Sequence, residues 1–197
     1  MMNDNNSKPP STSEQFNKVY RSPIASWAWR DIHIPKELNE LVETNNPKTS
    51  LELGCGLGGY SKFMVKQGIK TIGIDFSSVA IENAKKGVAN DECKPTFLIG
   101  DVTNLEMLTK QVDVSFDVGC FHCLNKEGQQ KYVSEVYRLL KPGGTHLIWA
   151  LDTSPSDINI NPDFIAKTFE NGFQLVNSKF SRRRIIASHW YWLVREK

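Results

Sequence analysis

Residues Leu51–Tyr60 read "LELGCGLGGY". An apolar run enters this stretch, glycines crowd its centre, and "YSKFMVKQG" leaves it with helical spacing up to Gly68. A strand that turns through glycines into a helix is the opening unit of an open α/β sheet. Gly54, Gly56 and Gly59 satisfy G-x-G-x-x-G, a spacing shared by dinucleotide sites and by other nucleoside sites. A tight strand-to-helix turn that binds nothing would use the same residues.

The same alternation continues outward from the loop. "KTIGIDF" predicts a second strand and "SSVAIENAKKGVAN" a helix capped by Ser77 or Ser78. "PTFLIGD" and "VDVSFDV" predict the third and fourth strands. Tyr132, Val133, Val136, Leu139 and Leu140 recur at helical spacing between Glu127 and Leu140, with "KPGG" as the expected helix stop. "THLIWAL" predicts the fifth strand, Asn161-Pro162 the start of a short helix, and "FQLVNSKFS" and "HWYWLVRE" two last strands. Continuous apolar strands separated by helices indicate a parallel sheet buried on both faces. The expected fold is therefore α/β: one doubly wound, Rossmann-like, seven-stranded sheet, mostly parallel, with an antiparallel C-terminal edge strand and helices on both faces.

Bulk properties narrow the classes. The chain has 197 residues, 40% hydrophobic and 23% charged, which suits one core of ordinary size. A formal net charge of +2 gives no strong attraction to nucleic acid or to an anionic membrane. No run approaches a membrane span, and the polar start "MMNDNNSKPPSTSEQ" has no apolar signal region. Residues 1–15 are expected to be a disordered polar tail and 16–197 a single domain. The cysteines at 55, 93, 120 and 123 fit reduced thiols in a cytoplasmic setting better than a disulfide framework.

In such sheets a ligand sits beyond the carboxyl ends of the strands at the switch point. Acids gather there: Glu52 just before the glycines, Asp75 ending the second strand, Asp101 the third and Asp117 the fourth. The loop contains no lysine or arginine, so a pyrophosphate would be repelled, and the absence of Gly-Lys-Ser/Thr excludes a P-loop. A ligand carrying positive charge and ribose hydroxyls fits better. S-adenosylmethionine has both.

"LELGCGLGG", Asp75, "GDV" and "LKPGG" before a strand together resemble the motif series of class I S-adenosylmethionine-dependent methyltransferases, over roughly Thr49 to Leu151. The resemblance implies S-adenosylmethionine as cofactor and S-adenosylhomocysteine as product. It places Glu52, Gly54, Cys55, Gly56, Asp75, Phe76, Asp101, Val102, Asp117 and Gly119 around the cofactor. Asp75 would accept the ribose hydroxyls, Asp101 would take the adenine amino group and Val102 would flank the ring. "VDVSFDVGCFHCL" is similar to the fourth-strand motif of small bacterial methyltransferases of the thiopurine and tellurite-resistance type, in which Asp-x-Gly lines the reaction centre. "SWAWRDIHIPKEL" is similar to their N-terminal tryptophan segment, which implies that residues 16–48 cover the cofactor or substrate. It departs from that pattern in reading Trp29-Arg30-Asp31, which leaves the parts of Trp27 and Trp29 open.

"DVGCFHC" on its own admits other chemistries. Cys120, His122 and Cys123 supply at most three zinc ligands where a structural site takes four. A redox C-x-x-C belongs at a helix start in another topology. In-line methyl transfer needs no covalent cysteine. No metal is therefore expected. Asp117 and His122 are the candidate catalytic side chains, and His122 is either a general base or a packing residue. The arginine run 182–184 is read as a solvated edge, and His33, His146 and His189 as structural. The function expected is methyl transfer to a small molecule, with a thiol or another chalcogen as acceptor by the narrower resemblance. An RNA or protein methyltransferase, an NAD-dependent dehydrogenase and a non-catalytic cofactor-binding regulator stand as alternatives, with membrane contact not expected and nucleic acid disfavoured.

Overall fold

The computed structural model describes residues 12–22, 33–153, 157–182 and 187–197. Helices α1 (Ser13–Arg21) and α2 (Lys36–Asn45) precede strand β1 (Thr49–Leu53). Then come α3 (Gly59–Lys66), β2 (Lys70–Asp75), α4 (Ser78–Gly87), β3 (Thr96–Ile99) and β4 (Val112–Val118). A single 3-10 turn, Phe121–Cys123, leads into α5 (Lys126–Leu139). The chain closes with β5 (Leu140–Leu151), α6 (Pro162–Thr168), β6 (Phe173–Ser181) and β7 (Ser188–Arg195).

The strands form one seven-stranded sheet in the order β3-β2-β1-β4-β5-β7-β6. The pairs β3-β2, β2-β1, β1-β4 and β4-β5 are parallel, and β7 runs antiparallel to both of its neighbours. The order reverses between β1 and β4, so the glycine loop after β1 lies at the switch point. The antiparallel C-terminal strand differs from expectation by one place: it lies inside the sheet, and β6 forms the edge. Burial accounts for the swap. Trp190 and Trp192 fill one face of β7 and Tyr191 and Leu193 the other, whereas β6 is exposed at Gln174, Val176, Asn177, Ser178 and Phe180.

Period-two alternation sorts the core into two layers. Val114, Phe116, Leu147, Trp149 and Trp190 pack with Leu38 and Leu41 of α2 and Tyr60 and Met64 of α3. Leu53, Ile148, Ala150 and Tyr191 pack with Tyr132, Val136 and Leu139 of α5 and Ile165 of α6. The caps follow the sequence: Ser77 Oγ accepts from Ala80 N at 3.1 Å, Asn125 Oδ1 from Gly128 N at 2.8 Å, and Asn161 Oδ1 from Phe164 N at 2.8 Å.

Two boundaries move. A capping box at Thr12 and Gln15 starts α1 at Ser13, inside the stretch read as tail, and residues 1–11 lie outside the described residues. "KPGG" does not cap α5: the helix ends on extended Leu140, and Gly143 (φ 78°) falls within β5. Pro142 disfavours helical backbone at Lys141, so the chain has already left the helix. No helix among the described residues is long and apolar enough to cross a membrane.

Asp113 ties three strands together at the end of the sheet opposite the loop. Its Oδ2 accepts from Lys48 N (2.9 Å), Thr49 N (2.8 Å) and Thr49 Oγ1 (2.9 Å), and Oδ1 from Lys141 Nζ (2.6 Å). Partial burial raises this carboxyl, but the Lys141, Lys48 and Thr49 donors outweigh it and hold it at about 2. An unfolded aspartate titrates near ~3.9. The clamp's stabilisation is thus full above about pH 4 and is lost as pH falls through about 2. Asp113→Ala is expected to destabilise the fold by about 1–3 kcal/mol at pH 7 in urea unfolding, with the deficit shrinking below pH 4. Equal stabilities at pH 7 would show that the clamp contributes nothing.

Candidate active site

The loop after β1 takes left-handed backbone at Gly54 (φ 72°), Gly56 (φ 51°) and Gly58 (φ 76°). Side chains are also excluded by crowding. A Cβ on Gly54 would lie 2.6 Å from Cys120 Cβ, and one on Gly56 would lie 2.8 Å from the Tyr20 hydroxyl. The loop is therefore held between the turn after β4 and helix α1. Cys55 N donates to Ile74 O at 2.8 Å, which fastens it to β2 as well.

Asp75 completes that attachment. Its Oδ2 accepts from Gly56 N and its Oδ1 from Ser77 N, both at 2.8 Å. Burial raises the Asp75 carboxyl, and these two amides oppose the shift. A carboxylate offers about four acceptor positions, so two remain for further donors such as a ribose diol. Glu52 is buried and accepts from Ser61 Oγ, which ties β1 to α3. The Cys55 thiol is pushed well up by burial and by the Glu52 and Asp75 charges, so it is not a thiolate.

Asp101 is exposed beyond β3, where its Oδ1 accepts from Thr103 N (2.9 Å) and Thr103 Oγ1 (2.7 Å). Val102 is buried among Leu53, Ile74 and Leu105, so its side chain serves the core. The apolar surface open to solvent beside Asp101 comes from Ile99 and Met107, 55% and 50% exposed, which the sequence reading passed over. Phe76 is half-buried, with its ring 5.3 Å from that of Phe16 in α1.

Asp117, the candidate catalytic and cofactor-contacting residue at the end of β4, is wholly buried. Its oxygens accept from Cys120 N (2.6 Å), Phe121 N (2.7 Å) and Tyr132 Oη (3.0 Å). The carboxyl shapes the turn that presents Gly119 (φ 104°) and Cys120 to the glycine loop. Tyr132 Oη also meets His146 Nε2 at 3.0 Å, and His146 Nδ1 meets Ser115 Oγ at 2.8 Å. Burial pushes His146 down to about 3, so its ring is neutral. On the same face of α5, one turn nearer the loop end of the sheet, Gln129 is buried with neither side-chain amide atom hydrogen-bonded. Such a group costs about 1–3 kcal/mol, which a polar ligand would relieve.

His122 is buried edge-on against Trp149, ring centroids 6.0 Å apart, and its Nδ1 accepts from Leu151 N at 3.4 Å. Of the two readings of His122, this placement favours packing. Cys120 is raised well above an ordinary thiol and Cys123 to about 12, each by burial first and the Asp117 charge next, so neither is a ready nucleophile. No group of three His, Cys, Asp or Glu residues able to hold a metal occurs among the described residues.

Helix α1 supplies parts of the site that sequence reasoning missed. Asn17 Oδ1 accepts from Ser77 Oγ (2.7 Å) and Val79 N (3.3 Å), while Phe16 and Tyr20 are buried against Ala80. Trp27 and Trp29 lie outside the described residues. A surface depression of about 420 Å³ lined by Lys62, Lys66, Asp91 and Cys93 sits toward the opposite end of α3, away from these groups.

The family described as "Methyltransferase domain" matches residues 51–144, from β1 through the glycine loop, Asp75, Asp101 and the β4 turn into β5. Just under half of the chain is thus similar to a methyltransferase domain. Curated relatives are similar over about three-fifths of the chain. A tRNA N(3)-methylcytidine methyltransferase of Schizosaccharomyces pombe is 29% identical over 124 residues, 59% of this chain and 40% of that protein. Norajmaline N-methyltransferase of Rauvolfia serpentina is 32% identical over 128 residues, 61% of this chain and 42% of that protein. The chain thus spans about two-fifths of the length of these two relatives. Among solved structures, magnesium protoporphyrin IX methyltransferase of Synechocystis, with bound S-adenosylmethionine, superposes with a TM-score of 0.75 at 17% identity, covering 97% of this chain and all of that one. A TehB-like methyltransferase of Corynebacterium glutamicum gives 0.70 at 20% identity, covering 96% of this chain and all of that one. At such identity these two matches establish the fold of the methyltransferase domain.

Complete burial, the largest influence, pushes Asp117 up to about 7 against its hydrogen bonds from Cys120, Phe121 and Tyr132. Between an unfolded value of ~3.9 and that value, the native state keeps a proton the unfolded chain has released. Asp117's contribution is therefore full below about pH 4 and declines as pH rises through about 7. Urea melts from pH 4 to 8 should show the wild type losing stability relative to Asp117→Asn as pH rises. A difference that stays constant with pH would refute this role for the carboxyl.

Proposed function

We propose that the chain is a methyltransferase that passes the methyl group of S-adenosylmethionine to a small-molecule acceptor. The observation that carries the reading is Asp75. It joins the glycine loop to the end of β2 through Gly56 N and Ser77 N and keeps acceptor capacity for a diol. The residues present fit the cofactor: the loop region carries Glu52 and Asp75 and no lysine or arginine, which suits a cationic sulfonium and disfavours a pyrophosphate. The backbone at Gly54 and Gly56 would hold the methionine part, Asp75 the ribose, and Asp101 the adenine edge beside Phe76. Residues 16–48, together with the start of α1, would cover the cofactor through Phe16, Asn17 and Tyr20. The bound cofactor supplies a methyl carbon already activated by positive sulfur. The chain's own task is then to align acceptor and methyl, which in well-oriented systems contributes on the order of 7–11 kcal/mol.

For the acceptor we propose a thiol or another chalcogen, on the likeness of "VDVSFDVGCFHCL" to the thiopurine and tellurite-resistance type. A nucleic-acid acceptor is the second reading, and the tRNA methyltransferase relative favours it. Isothermal calorimetry separates the cofactor readings. The chain is expected to bind S-adenosylhomocysteine and not NAD, and Asp75→Ala should weaken that binding by roughly 10–100-fold, taking about 1.5–3 kcal/mol for the lost charge-assisted bonds. NAD binding with no heat from S-adenosylhomocysteine would defeat the proposal. Salt-sensitive binding of RNA that needs Arg182 would favour the second reading.

A further inference from the structure

Histidine 189 is the least buried of the histidines paired with another side chain, and it stands at the end of the sheet where the cofactor loop lies. β7 is antiparallel, so its first residues reach the end where β1, β4 and β5 finish. Val118 pairs with Trp149 and Ala150 with His189, which sets Gly119, Ala150 and His189 in one row across the sheet. Two strand spacings of about 4.8 Å separate the backbone of Gly119 from that of His189, roughly 10 Å.

At that row His189 Nδ1 lies 2.7 Å from Asp152 Oδ1, and the two side chains are 20% and 28% exposed. An ionised carboxylate can only accept, so Nδ1 carries the hydrogen and Nε2 presents a lone pair. No described residue makes a hydrogen bond to Nε2. The ring is fixed by its neighbours: it stacks on Tyr191 at 5.7 Å and 22°, and meets the edge of Phe180 at 5.3 Å and 70°. Phe180 is itself 53% exposed, an apolar platform beside the base. Among the described residues, the titratable and charged groups facing His189 are Asp152 at the end of β5, Tyr191 on its own strand and Arg182, whose guanidinium lies 6.0 Å from the Phe180 ring centre. Burial, and then the Asp152 charge, pushes the Tyr191 phenol well up, so it stays neutral.

We propose that His189, oriented by Asp152, is the general base on the acceptor side, and that the acceptor is an aromatic hydroxyl whose ring rests near Phe180. This rests on the methyltransferase reading above. As the acceptor oxygen bonds to the methyl carbon, the carbon–sulfur bond breaks with its electron pair on sulfur, leaving S-adenosylhomocysteine. The hydroxyl proton passes to Nε2, and Asp152 stabilises the imidazolium. A phenol, with an ordinary pKa near ~10, gains far more from such a base than a thiol near ~8.5. The dyad therefore selects among chalcogen acceptors in favour of oxygen.

The test uses the full chain and the variants His189→Gln and Asp152→Asn. Calorimetry with S-adenosylhomocysteine should give affinities within about twofold of wild type in both variants, which also shows that they are folded; failure of the wild type to bind is a failure of the methyltransferase reading. With S-adenosylhomocysteine bound, added 4-nitrophenol should show more phenolate absorbance at pH 6 with the wild type than it does free in the same buffer, and His189→Gln should give no such increase. Methyl transfer from labelled S-adenosylmethionine is then measured from pH 5 to 9 on a panel of phenols, thiols and secondary amines. Phenols should turn over, with a rate that rises along an acidic limb. His189→Gln should lower the rate about 100-fold and abolish that limb. Turnover confined to thiols or amines, phenol turnover indifferent to His189→Gln, or no phenol turnover by a chain that binds S-adenosylhomocysteine each overturns the proposal.

Discussion

Two backbone amides on one buried carboxylate organise the cofactor end of this fold. Asp75 takes Gly56 N from the loop after β1 and Ser77 N from the start of α4. That single side chain makes β1, β2 and α4 one rigid corner, and Asn17 of α1 fastens on through Ser77 Oγ. Without it, a loop with three left-handed glycines within five residues would have fewer reasons to prefer one shape. With it, the loop is already formed before a ligand arrives, and the ordering cost of binding is reduced.

The other wall depends on a buried chain of polar groups. Tyr132 gives its hydroxyl hydrogen to Asp117, so its oxygen takes the Nε2 hydrogen of neutral His146, whose Nδ1 in turn accepts from Ser115. Every donor points toward Asp117, and Asp117 spends its remaining capacity on Cys120 N and Phe121 N. The turn after β4 is thereby set against Gly54. Buried networks of this kind are costly unless fully satisfied and then specify one geometry. "DVGCFHC" thus carries structure more than chemistry: the carboxylate shapes the wall, the cysteines line it, and His122 packs on Trp149.

Much of this was legible in the sequence because it is local. Continuous apolar strands, the glycine loop, Asp75 at a strand end and the Ser77, Asn125 and Asn161 caps each show in a few consecutive residues. Long-range pairing was not legible. Nothing near His189 announces Asp152, 37 residues away, and the two meet only because β7 inserts between β5 and β6. Asn17 and Ser77 are 60 residues apart. Burial was equally hidden: Asp117 ends a strand beside the glycine loop, and only packing by α5 shows that its carboxyl is buried. Both β7 and β6 read as strands, and which of them takes the edge depends on how much apolar surface each has to hide.

The glycine loop and Asp75 form one cradle, shaped before the cofactor binds. A crystal structure of the chain grown with S-adenosylhomocysteine tests this most directly. The account predicts the ribose hydroxyls within hydrogen-bond distance of Asp75, the amino acid part along Gly54 and Gly56, and the Gly56 and Ser77 amides still on the carboxylate. A ligand bound elsewhere, or an Asp75 that has left both amides and faces no ribose, would contradict it.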